Sequence, residues 1–230
     1  MSITIESFPI GSLGCNCSLI YSETSKEALI IDPGDDANKI LEIIEKKALK
    51  VRKLIHTHAH FDHIGAARLV KEKLNALILL HPDDQALYDM LPIQRQKFGG
   101  QKFGGQKFGV PMDIPGKVDM YLEDQETIGF LDSEPPLTEP QAFLKTIHTP
   151  GHTQGSCCFY TEVNGKPLLF SGDTLFQESI GRTDLWGGDH LQILKSIKQK
   201  LFLLPLESQV IPGHGEHTTL WHEKRNNPFL

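Results

Sequence analysis

A chain of 230 residues that is 39% hydrophobic and 23% charged has the composition of a folded globular protein, which excludes wholesale disorder. Its length suits one substantial core and is short for two. A formal net charge of −6 argues against a nucleic-acid-binding surface. No stretch approaches the ~20 apolar residues of a membrane span, and the opening MSITIESFPIGS has neither the basic nor the apolar region of a secretory leader. A cytoplasmic protein with no nucleic-acid or membrane partner is therefore the expectation. Four cysteines are too few for a disulfide scaffold. Eleven histidines are the unusual count.

In chain order, residues 3–8 and 18–21 read as strands between Gly and Ser turn signals. Residues 28–31 form a short apolar run that stops at the turn Asp32-Pro33-Gly34. Residues 36–47 place Ile40, Leu41, Ile43 and Ile44 on one helical stripe. Strands are expected at 51–55 and 76–80, and helices at 64–74 and 82–91, the latter opening on Pro82. Residues 92–118 are rich in Gly, Pro, Gln and Lys and read as a loop, which carries QKFGG, QKFGG and QKFG in tandem from Gln96 to Gly109. Such a run reads either as a solvent-exposed loop that tolerates insertion or as a lid whose Lys and Phe residues cover an anionic, partly apolar ligand. Strands follow at 127–130, 143–148, 157–160 and 168–171, then a helix at 190–203 and a last strand at 209–211. Each half thus runs strands, helix, strand, which suits a four-layer αββα sandwich of class α/β, folded as one domain over 1–230.

The chemistry gathers where strands end. Thr57-His58-Ala59-His60-Phe61-Asp62-His63 lies between a strand and a helix, with four potential ligands in six positions. In extended chain His58 and His60 point the same way and can grip one metal, while Asp62 and His63 point differently and suit a second. His152 in TPGHT, Asp173 in SGDT and His214 in PGHG each follow an apolar strand beside Gly. Together these are seven N/O donors of the kind zinc accepts.

THAHFDHIG, TPGHT, SGDT and PGHG in this order, with Gly172-Asp173-Thr174-Leu175-Phe176, Gly181-Arg182-Thr183-Asp184 and the closing Asn227-Pro228-Phe229, resemble the glyoxalase II-like hydrolases of the metallo-β-lactamase fold. The resemblance spans nearly the whole chain. It implies an αββα sandwich holding two divalent metal ions, zinc or else iron or manganese. By that likeness His58, His60 and His152 bind the first and Asp62, His63 and His214 the second. Asp173 bridges both, Asp62 and Asp173 are the catalytic carboxylates, and Arg182 is the substrate-binding residue that meets a glutathione carboxylate. Class B lactamases of similar fold usually carry Arg where His63 stands or Cys where Asp173 stands, and oxygen-reducing di-iron members carry Glu where His60 stands. A persulfide dioxygenase is the nearer rival, with one iron on His58, His152 and Asp173 and the same GRTD. Longer glyoxalase II enzymes continue past NPF into a helical domain with further glutathione contacts, so another small ester or thioester is an open alternative.

Two divalent ions, two carboxylates and one hydroxide would leave a charge of roughly +1. A metal-bound water ionises near pH ~7, so hydroxide is at hand without a separate base. A departing thiolate, with a thiol pKa of about 8.5, needs no dedicated acid. Thioester hydrolysis is thus the easiest reaction for this donor set, with a small-molecule thioester, glutathione-linked by the likeness, as the partner. Cys15-Asn16-Cys17 is no CxxC motif, and Cys157 and Cys158 should face opposite sides of a strand. Asp32 and Asp184 are candidates to position the metal loops. His148, His190, His217 and His222 fit no ligand pattern, and His56 reads as core or as support.

Overall fold

The computed structural model describes residues 3–98, 115–129 and 143–230. The repeat units beyond Phe98 lie outside these, as does Phe130 of the expected 127–130 strand. The first sheet takes its strands in sequence order: β1 (Ile3–Ile10), β2 (Cys15–Ser22), β3 (Glu27–Ile31), β4 (Lys50–Ile55), β5 (Leu77–Leu80) and β6 (Met120–Tyr121). The β1–β2 and β2–β3 pairs are antiparallel, and from β3 onward the pairs are parallel. The crossovers are helical, as parallel strands demand: α1 (Ala37–Lys47) precedes β4, and α2 (Phe61–Ile64) with α3 (Ala67–Leu74) precedes β5. A 3₁₀ turn over Pro82–Asp84 then leads into α4 (Gln85–Asp89) and α5 (Leu91–Phe98).

The second sheet has the order β14-β13-β10-β9-β8-β7. Its members are β7 (Thr127–Gly129), β8 (Phe143–His148), β9 (Cys157–Val163), β10 (Lys166–Gly172), β13 (Gln209–Pro212) and β14 (Thr218–Thr219). A small hairpin of β11 (Leu175–Phe176) and β12 (Ser179–Ile180), with α6 (His190–Gln199) and α7 (Leu220–Asn226), completes the chain.

Side-chain alternation along single strands makes the four layers. In β3, Ala28 and Ile30 face the helices of the first half, whereas Leu29 and Ile31 face the second sheet. In β10, Leu168 and Phe170 point into the intersheet core and Leu169 points out to α6, where Ile193 and Ile197 cover it. Cys157 and Cys158 split the same way, one into each core, so the pair meets on neither face. Each fully buried Leu or Ile contributes roughly 1.5–3 kcal/mol, and three contiguous cores explain why so little of this stack faces water. Helix ends are set locally. Asp36 caps α1 by accepting from the Lys39 N–H at 3.2 Å, and Lys46 and Lys47 sit at its negative end.

Three expectations shift in detail. The 92–118 stretch begins as helix, because α5 runs to Phe98. The 64–74 helix is two helices broken at Gly65, whose carbonyl accepts from Arg95 instead of continuing the helix. The 190–203 helix ends at Gln199, and its last turn, Leu201–Leu203, is 3₁₀.

Candidate metal centre

Four strands of the sandwich end at one rim, and each hands its donor to the same point. After β4 come His58 and His60, with Asp62 and His63 in the first turn of α2; after β8 comes His152, after β10 Asp173, and after β13 His214. All seven residues expected as ligands are brought together here. His58 Nε2 lies 3.0 Å from His60 Nδ1, which lies 2.9 Å from His152 Nε2. The second cluster has His63 Nε2 at 3.1 Å from His214 Nε2, and Asp62 Oδ2 at 3.2 Å from the same His214 nitrogen. Asp173 stands between them: Oδ2 is 3.6 Å from His152 Nε2, and Oδ1 is 3.3 Å from His63 Nε2.

The far nitrogens decide which atoms are free. His63 Nδ1 donates to Asp32 Oδ2 at 2.9 Å. His152 Nδ1 donates to the Arg182 carbonyl at 2.8 Å, and His214 Nδ1 to the Leu13 carbonyl at 3.2 Å. Thr57 gives its hydroxyl proton to Asp32 Oδ2 at 2.7 Å, so at 3.0 Å it can only accept from His58 Nδ1. With Nδ1 so engaged, four histidines present Nε2 to the cluster, the arrangement that orients metal-ligating imidazoles. Ring nitrogens facing one another at about 3 Å need a shared proton or a cation between them. Tetrahedral zinc with Zn–N of ~2.0–2.1 Å would space its ligands by roughly 3.3 Å, close to these separations.

The electrostatics ask for the same cation. Burial pushes the Asp173 carboxyl up, but His63, His152 and His214 together hold it well below the usual range. Asp62 is likewise lowered against its burial by His63 and His214. Burial and the neighbouring imidazoles keep His58 and His60 neutral, the latter with a pKa of about 3. His63 goes the other way: burial disfavours its charge, yet the carboxylates of Asp173, Asp62 and Asp32 hold a proton on it. Asp173 Oδ1 is buried without a hydrogen-bond partner. An orphaned carboxylate oxygen and an imidazole drawn toward a positive charge fit a divalent ion.

Three supports have no sequence signature strong enough to find them. Asp84 is buried and accepts from the Ala59 N–H at 2.9 Å, the Gly155 N–H at 2.7 Å and the Thr153 hydroxyl at 2.9 Å, tying the His58–His60 loop to the His152 loop. Gln94 of α5 accepts from the Phe61 N–H at 3.1 Å and donates to the Ala59 and Leu87 carbonyls at 3.0 and 2.7 Å. Asn16 of β2 donates through Nδ2 to the carbonyls of Pro212 and Gly215, each at 3.0 Å, and so fixes the His214 loop. Gly213 must lack a side chain, since a Cβ there would strike Asp173 Oδ1 and come 2.7 Å from His63 Cε1. Cys15 sits 3.5 Å from His63 Nδ1, but burial pushes its thiol up to about 12 and keeps it inert.

Beside the cluster lies a cavity of about 260 Å³, lined among the described residues by His60, Asp62, His152 and Asp173 on the metal side. Its other walls include Phe61, Phe98, Trp186, Lys97 and Arg182. Arg182 does reach this cavity, yet Asp184 grips its guanidinium with two hydrogen bonds, of 2.7 and 2.8 Å. His56 stays outside the cluster, donating through Nδ1 to the Leu79 carbonyl at 3.0 Å.

The comparisons agree with this geometry. Residues 10–214 match the Metallo-beta-lactamase superfamily. The hydroxyacylglutathione hydrolase GloC of Haemophilus influenzae is 36% identical over 230 residues, covering 99% of this chain and 98% of that one. The crystal structure of the BLEG-1 B3 metallo-beta-lactamase superposes with a TM-score of 0.80 at 34% identity, covering 98% of this chain and 99% of its own. That of TTHA1623 in a di-iron-bound form gives 0.78 at 34%, covering 98% and 100%. The chain belongs to the metallo-β-lactamase superfamily, whose fold binds divalent metals. It is a metallohydrolase-family protein in which, among the described residues, no helix is long and apolar enough to cross a membrane.

Proposed function

We propose that the protein hydrolyses a small S-acyl thioester, in the manner of a hydroxyacylglutathione hydrolase, with two divalent ions held by His58, His60 and His152 and by Asp62, His63 and His214, Asp173 serving both. The observation that carries this reading is the shared carboxylate: the two oxygens of Asp173 address two separate donor clusters at the floor of one cavity. Divalent ions held there supply a water that ionises near neutral pH and a Lewis acid for the acyl oxygen. The chain's own residues do the rest. Asp62 and Asp173 keep their charge against burial and offer oxygens as hydrogen-bond acceptors to a water beside the scissile carbonyl. Among the described residues lining the cavity, Asp62 and Asp173 are the sole carboxyl groups, and both are held ionised. Among the described lining residues, then, no carboxylic acid is poised to protonate a leaving group, which favours a thiolate, stable near a thiol pKa of about 8.5, over an amine. The 36% identity to GloC supports the same substrate class.

The superposition on a B3 lactamase motivates the competing test. Zinc-loaded and iron-loaded protein should be assayed on S-lactoylglutathione, on a β-lactam, and for oxygen uptake with glutathione persulfide. Thioester turnover, lost by about 10³-fold or more in Asp173→Ala with the fold intact by circular dichroism, is expected from removal of the shared ligand. Oxygen uptake or lactam cleavage without thioester turnover would overturn the assignment. The di-iron state of TTHA1623 makes iron as worth loading as zinc.

A further inference from the structure

Among the described residues, two cations line the cavity, and they are not equivalent. Arg182 is paired with Asp184 through the Nε–Nη2 edge of its guanidinium, and its backbone carbonyl is occupied in aiming His152. Asp184 answers in kind, its carboxyl drawn down to about 2 by that guanidinium. The remaining N–H groups of Arg182 stay free, but a substrate carboxylate meeting them shares a charge that Asp184 already balances. Lys97 is placed differently. Its Nζ rests 4.8 Å from the centroid of the Trp186 ring and 5.4 Å from that of Phe98, and the two rings meet edge to face at 6.0 Å. No carboxylate pairs with Lys97 among the described residues. An indole face attracts an ammonium group but leaves its charge unneutralised, so the outer side of Lys97 remains open to an anion. The same three side chains line the cavity that reaches His60, His152 and Asp173.

We propose that Lys97, seated on Trp186 and Phe98, is the anion-recognising group of this cavity, and that the ligand it selects is a thioester bearing a carboxylate remote from the scissile carbonyl. The nature of the scissile bond rests on the thioester reading above; the place where the anion binds does not. Sequence likeness points to Arg182 for this role, so the assignment moves recognition from the GRTD segment to the end of α5. It also gives the first Gln96-Lys97-Phe98 unit a function in its own right.

The test uses the full-length, metal-loaded protein and two substrates with one acyl group: S-lactoylglutathione, with two carboxylates, and its dimethyl ester, which keeps the ammonium but has neither carboxylate. Lys97→Gln should cut the preference for the dicarboxylate, read as the ratio of kcat/KM values, by about three- to tenfold through KM, the size expected for loss of one partly exposed charge-assisted contact. Arg182→Gln is run beside it. Binding is read separately by titrating glutathione against tryptophan emission in a Trp221→Phe background, where Trp186 is the remaining fluorophore of the chain's two tryptophans. Lys97→Gln should raise that Kd by a similar factor, with circular dichroism unchanged. An unaltered substrate ratio in Lys97→Gln, or collapse of the ratio in Arg182→Gln alone, overturns the proposal. So does an equal Kd, or no Trp186 response. If neither thioester is turned over, the hydrolase reading fails while the fluorescence titration still decides the role of Lys97.

Discussion

Four of the five imidazoles at the rim, His58, His63, His152 and His214, are aimed by what they do with their other nitrogen, and the partner is as often backbone as side chain. Asp32 shows how much one buried carboxylate can organise: it accepts from the Thr57 N–H at 2.8 Å, the Thr57 hydroxyl and His63 Nδ1, and so sets two ligands at once. The residue scale also holds a pH response away from the metal ligands. His81 stacks on His148, with ring centroids 3.9 Å apart, and burial with that neighbour lowers its pKa to about 4. The folded state therefore refuses a proton that the unfolded chain takes up near pH ~6.5. The stability contributed by neutral His81 is complete above that value. It declines as pH falls from about 6.5 to about 4, and then levels off. Nδ1 of His81 accepts from the Asp83 N–H at 3.3 Å, a capping role that asparagine can fill. His81→Asn should keep the cap and remove the titration. Between about pH 7 and about pH 5 the wild type should lose about 1–2 kcal/mol more than the variant in urea unfolding. Parallel pH profiles for the two would refute this.

Among the elements, α5 is the one that composition conceals. Gly, Pro, Gln and Lys suggested loop, but Pro92 suits a first helical turn, and Gln94 is buried against the metal loop. Its three hydrogen bonds satisfy the Phe61 N–H and the Ala59 and Leu87 carbonyls. Gln94→Ala strands these groups and should cost about 2–4 kcal/mol, since a buried unsatisfied group costs ~1–3 kcal/mol and such losses are not additive. Exposed Gln96, two residues on, should change by less than about 0.5 kcal/mol on the same substitution. Equal losses in chemical denaturation would mean that α5 does not brace the site. Strands such as β3 and β10 were legible because a short continuous apolar run, stopped by Pro or Gly, is the mark of a strand buried on both faces. The two-residue strands β6, β11, β12 and β14 carry too few residues for a period. Four of the seven clustered donors were legible through their spacing in THAHFDH and the other three, His152, Asp173 and His214, through their Gly-flanked positions at strand ends, whereas Asp84, Gln94 and Asn16 act through tertiary hydrogen bonds that no local pattern encodes.

At the scale of the whole molecule, the two sheets meet in an intersheet core and are clasped again at the rim. His58, His60, Asp62 and His63 come from the first sheet's side, His152, Asp173 and His214 from the second, and each donor cluster takes residues from both. Asn16 repeats the clasp without metal, joining β2 to the loop that carries His214. Removing divalent ions therefore does more than silence a site. It leaves imidazole nitrogens crowded at about 3 Å beside the carboxylates of buried Asp62 and half-buried Asp173, across the seam between halves. Ions that bind the folded chain alone add about 4 kcal/mol at a thousandfold excess over Kd. For a domain of this size, 1 kcal/mol moves Tm by ~2–4 °C. Exhaustive chelation should then lower Tm by roughly 10 °C in scanning calorimetry, and zinc or iron added back should restore it. His63→Ala, lacking one donor of the Asp62–His63–His214 cluster, should recover only part of that shift. A chelated protein that melts at the temperature of the loaded one would show that the rim donors do not bind the halves together through metal.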